Sequence, residues 1–167
     1  MDRRYRLTLI VGKTGSGKTT WLRNLLGKSH FLVLDPVGAW GDIREITEVE
    51  KILQYKRGQR RITQLLYEAE SETIKTVQKL RNVNLIIDDA DTFIFYRNKI
   101  IYNPFFYAYR HLRMNVFVIT HSFQDTPRTI LRTADFIVVF DVAQNPYNLY
   151  GEKFRPRIFS RDDLTHI

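Results

Sequence analysis

A chain of 167 residues with no cysteine is long enough to bury one sizeable core, and it excludes disulfide staples and thiolate zinc sites. Hydrophobic residues make up 44% of it, as in a soluble globular protein, yet no apolar run approaches the roughly 20 residues that span a bilayer, so no membrane insertion is expected. The net charge of +8 points to a polyanionic partner, with nucleic acid the first candidate.

The chain opens on a basic stretch, Met1 to Arg6, followed by the apolar run 7–11. That run ends at once in Gly12-Lys-Thr-Gly-Ser-Gly-Lys18-Thr19, so a removable signal peptide is not expected. The octapeptide is G-x-x-x-x-G-K-[ST] at the end of a predicted strand and ahead of a helix-forming segment over 18–26, the pattern of a P-loop. Its glycines let backbone N–H groups turn toward nucleotide phosphates, and the helix start adds the positive end of its dipole. The expected nucleotide-binding residues are Gly12, Thr14, Gly15, Ser16, Gly17, Lys18, Thr19 and Thr20. Lys18 is expected to reach the β- and γ-phosphates of ATP, and the Thr19 hydroxyl to ligate Mg²⁺.

Gly27 stops the helix, and 31–34 reads as a second buried strand that breaks at Asp35-Pro36. A helix over 48–55, a strand over 61–67 and a helix over 71–80 follow, then a strand over 83–87. Asn103-Pro104 gives an N-cap with proline at the first helical position, predicting a helix to about Met114. Strands at 116–119 and 136–140 flank a short helix beginning near Pro127, and the Pro- and Gly-containing tail 145–160 is assigned a terminal hairpin. Apolar runs alternating with helical stretches predict an α/β domain, undivided over 1–167, with a mainly parallel central sheet flanked by helices.

The strand over 83–87 ends in Asp88-Asp89. Two acids at a strand end are otherwise a solvated turn, but beside a P-loop they fit the magnesium-side carboxylate, Asp88, and a general base for the attacking water, Asp89, with Asp91 a substitute. The strand over 116–119 runs into Thr120-His121-Ser122, where a hydroxyl or imidazole would read the γ-phosphate. An ordinary polar strand end is the competing reading.

These motifs carry a resemblance. Asp35-Pro36-Val37-Gly38-Ala39-Trp40 is similar to the D-P-x-G-E-[YW] segment of the HerA/FtsK superfamily of DNA-pumping ATPases. Arg110-His111-Leu112, the stretch from Thr120 to Arg128, and Ala134-Asp135-Phe136-Ile137 resemble further segments of that superfamily in the right order, over most of residues 7 to 140. The subgroup most resembled is that of the small viral genome-packaging ATPases. The resemblance implies a RecA-like (ASCE) P-loop core, a homo-oligomeric ring, usually a hexamer, and ATP hydrolysis at subunit interfaces. It also implies an arginine finger donated across the interface, with Arg110 at the matching position and Arg113, Arg128 and Arg132 as substitutes. The alternative for Arg110 is an arginine favoured by a helix C-terminal dipole. Three positions depart from the family pattern: Asp89 stands for Glu, His121 for a frequent Gln, and the glycine expected before the sensor strand is missing.

Basic residues concentrate in Lys56-Arg57 with Arg60-Arg61, and in Lys153, Arg155, Arg157 and Arg161, as sequence-independent phosphate contact requires. The aromatic and basic stretch from Phe93 to Lys99 reads either as a DNA-contacting loop or as a packing cluster, the latter favoured. The leading expectation is an ATP-driven motor for double-stranded DNA that packages a viral genome. It would act in the host cytoplasm or at the procapsid, with a capsid or portal-vertex protein as a further partner. A Zot-like phage-assembly ATPase and a nucleotide-binding switch with negligible turnover are the alternatives.

Overall fold

Among the described residues, seven parallel strands form one sheet in the order β3-β2-β4-β5-β1-β6-β7. The computed structural model describes residues 5–63, 69–92, 106–142 and 158–160. The strands are β1 (Leu7–Val11), β2 (Phe31–Leu34), β3 (Gln59–Ile62), β4 (Asn84–Ile87), β5 (Asn115–Thr120), β6 (Phe136–Val139) and β7 (Ile158–Ser160). The helices are α1 (Lys18–Leu26), α2 (Val49–Leu53), α3 (Ala69–Val77) and α4 (Arg128–Thr133).

Parallel strands covered on both faces read as continuous apolar runs, because successive side chains enter opposite layers of core. Leu7, Leu9 and Val11 of β1, with Leu32, Leu34, Leu85, Ile87, Val116 and Val118, pack under α2, α3 and α4 through Ile52, Val77, Ile130 and Leu131. Ile10, Val33, Ile86, Ile119 and Val138 face the other way, onto Leu22 and Leu26 of α1 and onto Trp40. All seven strands point the same way, so the loops that leave their carboxyl ends share one edge of the sheet. That edge is where open α/β sheets bind ligands.

The strand and helix limits differ from the sequence reading where local chemistry decides them. β3 starts two residues earlier than predicted, because a turn at Gly58 (φ 93°) sets the register Phe31↔Gln59. Gly58 N donates to His30 Nδ1 and its carbonyl accepts from Phe31 N and the Tyr55 hydroxyl. In the tail, β7 extends the sheet parallel to β6, so it is not the antiparallel arm of a hairpin with that strand. Residues 143–157 lie outside the described residues.

The helix predicted up to Met114 is helical over 106–108 and unwinds at a Schellman turn. Met114 N donates to Tyr109 O and Arg113 N to Arg110 O, with Arg113 at φ 56°. Arg113, one residue before the Met114-Asn115 pair at which the sequence reading found the expected glycine missing, holds the left-handed position where glycine is usual. A left-handed non-glycine residue costs roughly 1–2 kcal/mol, of which glycine's extra chain entropy recovers only part. The Arg113 side chain is exposed and makes no ion pair among the described residues. An Arg113→Gly protein is expected to melt about 1–4 °C higher, for a gain of about 0.5–1 kcal/mol. Thermal denaturation checks this, and a lower melting temperature contradicts it.

Candidate functional site

The P-loop leaves the carboxyl end of β1, which lies between β5 and β6. Its glycines are required for two different reasons. Gly15 and Gly17 have φ of 77° and 93°, the left-handed region that a Cβ disfavours. A Cβ on Gly12 would instead lie 2.6 Å from Phe140 Cβ and 2.9 Å from Ser16 Oγ, so that glycine permits close approach. Neighbouring strand ends hold the loop: Gly12 N donates to Thr120 O at 3.2 Å and Lys13 N to Asp141 O at 2.9 Å. The Lys13 ammonium pairs with the Asp141 carboxylate at 2.8 Å.

α1 begins after Gly17 with no side-chain cap and no acidic residue in its first turn. Its first N–H groups therefore keep their donor capacity for an anion. Ser16 Oγ is buried without a hydrogen-bond partner among the described residues. The Lys18 ammonium arches back to donate to the Gly12 and Lys13 carbonyls. Burial lowers the Lys18 pKa, while the carboxylates of Asp88, Asp89 and Asp91 act in the opposite sense. Thr19 is half-buried in the first turn of α1, Thr20 beside it in the same turn is exposed, and Thr14 is exposed on the loop. A buried orphan hydroxyl, two left-handed glycines and an uncapped helix start fit a phosphate group.

Asp88 and Asp89 follow the end of β4, two places from β1 in the sheet. Asp88 is almost fully buried, and burial raises its pKa against the hydrogen bond from Trp40. The Trp40 indole Nε1–H donates to Asp88 Oδ2 at 2.7 Å, and Asp89 N donates to Asp88 Oδ1 at 3.0 Å. Trp40 is positioned in turn by Asp35, whose carboxylate accepts from Ala39 N at 2.8 Å and Trp40 N at 3.0 Å. Arg61 of β3 stands 3.7 Å from Asp35, and the Arg23 guanidinium lies over the Trp40 ring at 4.5 Å. The Asp35–Trp40 segment therefore acts as a brace from the sheet edge to the Asp88 carboxylate. In the sequence this segment stands out only by its family likeness, and the contact of Trp40 with Asp88 was not foreseen from it. Its signal was an aromatic residue at a fixed offset from a strand-ending aspartate.

Asp89 adopts φ 49°, a left-handed position that aspartate tolerates better than most residues. The backbone thus gives a physical reason for Asp where the family pattern has Glu. Its Oδ1 lies 2.6 Å from His121 Nε2, and His121 Nδ1 lies 3.3 Å from Thr14 Oγ1. Asp91 Oδ2 accepts from His121 N at 3.1 Å, and burial raises the Asp91 pKa. Ligand atoms of Asp89, Asp91 and His121 all fall within 4.8 Å of one another, so these three groups form one polar cluster beside the P-loop.

Of the polar residues at the end of β5, His121 is the one that joins this cluster. Thr120 is fully buried, its hydroxyl 3.2 Å from Thr126 Oγ1, and it meets the P-loop through its backbone carbonyl rather than its side chain. Arg110 lies elsewhere. It precedes β5, at the amino ends of the strands, and pairs with Asp135, which also accepts from the Tyr109 hydroxyl at 2.6 Å and Leu7 N at 3.0 Å. Strands of this kind run about 3.3 Å per residue, so the length of β1 separates Arg110 from the P-loop of its own chain by roughly 17 Å. Arg110 is therefore out of reach of the P-loop of its own chain. The stretch from Phe93 to Lys99, with Lys153, Arg155, Arg157 and Arg161, lies outside the described residues.

The sequence matches no known protein family and no curated protein. Solved structures do match. The genome packaging NTPase B204 from Sulfolobus turreted icosahedral virus 2, in complex with ATP-gammaS, superposes with a TM-score of 0.70 at 20% identity, covering 92% of this chain and 83% of B204. The N-terminal domain of zonular occludens toxin from Neisseria meningitidis gives 0.52 at 17% identity, covering 85% of this chain and 78% of that one. The Pyrococcus furiosus Hef helicase domain gives 0.55 at 17% identity, covering 88% and 37%. The chain therefore has the α/β P-loop NTPase fold, and its likeness to a viral genome-packaging ATPase, visible in the motifs, extends to the backbone. Among the described residues, no helix is long and apolar enough to cross a membrane.

Proposed function

We propose that the protein is an ATPase motor that moves double-stranded DNA, packaging a viral genome into a capsid. The observation that carries the reading is the convergence of P-loop, Asp88 and the Asp89–His121 pair on the carboxyl edge of the sheet. Phosphoryl transfer is mostly positioning and charge stabilisation, and this arrangement divides those tasks among named groups.

In this reading the loop N–H groups and the start of α1 hold the phosphates, and Lys18 exchanges its two loop carbonyls for β- and γ-phosphate oxygens. Thr19 and Asp88 would hold Mg²⁺, which neutralises charge on the β- and γ-phosphates when bound. Asp89 orients and deprotonates the attacking water. His121, in contact with both Asp89 and Thr14, senses whether the γ-phosphate is present and passes that state to the loop leaving β5.

Arg110 sits too far from its own P-loop to act in cis, which supports a homo-oligomeric ring, a hexamer by the family's habit, with Arg110 serving the neighbour's nucleotide. In that role its pairing with Asp135 sets the guanidinium's direction at the subunit surface. B204 from Sulfolobus turreted icosahedral virus is a DNA-packaging ATPase. Likeness to it, together with the net charge of +8, supports double-stranded DNA as the cargo and a capsid or portal vertex as the docking partner in the host cytoplasm. ATP hydrolysis that linear duplex DNA stimulates, rising steeply with protein concentration, is the test.

A further inference from the structure

Beyond β3, at the edge of the sheet, lies a cleft of about 400 Å³. Its walls are the 44–47 segment, α2 and the turn into β3. The segment is fixed to the sheet like an extra strand: Arg61 N donates to Arg44 O at 3.0 Å and Ile46 N to Arg61 O at 2.8 Å. Five cations line the cleft, Arg44, Lys51, Lys56, Arg57 and Arg60, against a single acid, Glu45.

The acid is already committed. Glu45 accepts from the Thr63 hydroxyl and stands 3.5 Å from Arg61. Two of the cations are also engaged: Lys51 pairs with Glu48, and Arg60 donates to Gln59 O at 2.8 Å. Arg44, Lys56 and Arg57 are exposed, and none has a side-chain partner among the described residues. A cleft whose acid is neutralised and whose free groups are all cationic selects an anion. Its polar lining gives an apolar ligand nothing to bury against.

We infer that this cleft is a second binding site, distinct from the P-loop, which grips the phosphodiester backbone of duplex DNA. The inference rests on the motor reading for its cargo. Three exposed cations beside the edge strand β3 can contact the phosphates of a duplex, whose charges recur about every 3.4 Å of helix axis on each strand, without reading bases, as a translocating protein requires. Four strand spacings separate β3 from β1, roughly 19 Å, so DNA held here does not compete with nucleotide in the same chain. Arg61 belongs to the same strand as Arg60 and stands against Asp35, so the cleft wall is continuous with the brace that ends on Asp88.

The experiment measures binding of the full chain to a linear DNA duplex across a range of salt concentrations. It compares wild type with Arg44→Gln/Lys56→Gln/Arg57→Gln and with a charge-matched control, Lys75→Gln/Lys79→Gln/Arg81→Gln. ATP binding and the melting temperature are recorded for each, and the expected values match wild type within about 2 °C for the cleft variant. In wild type, the slope of log affinity against log salt reports the number of phosphates neutralised. The cleft variant is expected to lower that slope by about 2–3 and to weaken binding at least tenfold, with the control near wild type. A cleft variant that binds like wild type, or a control that loses as much, overturns the site and leaves the motor reading standing. Wild type that binds no duplex at low salt overturns both.

Discussion

Replacing Lys18 by alanine is expected to lower ATP turnover by about 10²–10³-fold while the fold persists. Lys18 is the one cation in the P-loop that is buried and aimed along it, donating to the Gly12 and Lys13 carbonyls. Alanine removes the charge that would stabilise the transferred phosphoryl group, a loss of the size measured when one preorganised donor is taken from a transition state. The Lys13 carbonyl that loses Lys18 lies on the exposed part of the loop, where water can satisfy it, whereas the Gly12 carbonyl is buried, so a melting temperature lower by a few degrees is expected. Steady-state phosphate release, with nucleotide binding measured separately, checks the prediction. Turnover within about threefold of wild type contradicts the placement of the active site.

The second large effect is expected at Trp40, a residue that touches no nucleotide in the proposed mechanism. Its indole N–H is the donor to Asp88 Oδ2, in a position with no exposure to solvent. Trp40→Phe keeps an aromatic ring against Phe31, which lies 5.5 Å from the indole centroid to centroid, and removes that donor. A buried carboxylate oxygen left without its partner costs about 1–3 kcal/mol, or a melting temperature lower by several degrees. Destabilisation alone would not identify a positioning role. The decisive readout is the Mg²⁺ dependence of turnover. Groups that orient a metal-side ligand typically matter by about 10–100-fold in metal affinity or activity. The Mg²⁺ concentration for half-maximal rate is expected to rise at least tenfold in Trp40→Phe. An unchanged Mg²⁺ requirement in a folded protein contradicts the brace.

The parallel core was legible because a strand covered on both faces has no polar side to obscure it. β1, β2 and β4 appear as predominantly apolar runs, broken only by Thr8 and Asn84, at nearly their observed limits. β3 was less so: Gln59-Arg-Arg-Ile is an edge strand fixed by a glycine turn and by pairing to β2, and its composition says little. The P-loop and the two aspartates were legible because each is a short motif tied to a strand end. The contacts that join them were not. Trp40 and Asp88 are 48 residues apart, Thr14 and His121 are 107 apart, and only the strand order brings them together. Arg113 at its left-handed turn shows the opposite case, where the sequence lacks the glycine that the backbone geometry favours.

A ring-forming DNA motor is tested most directly by steady-state ATP hydrolysis of the wild-type protein, with and without linear double-stranded DNA, over a range of protein concentrations. At least tenfold stimulation by the duplex is expected, with a specific activity that climbs with concentration, because Arg110 lies too far from its own P-loop to complete the site alone. Turnover that is equal with and without DNA and constant per molecule on dilution would contradict such a motor.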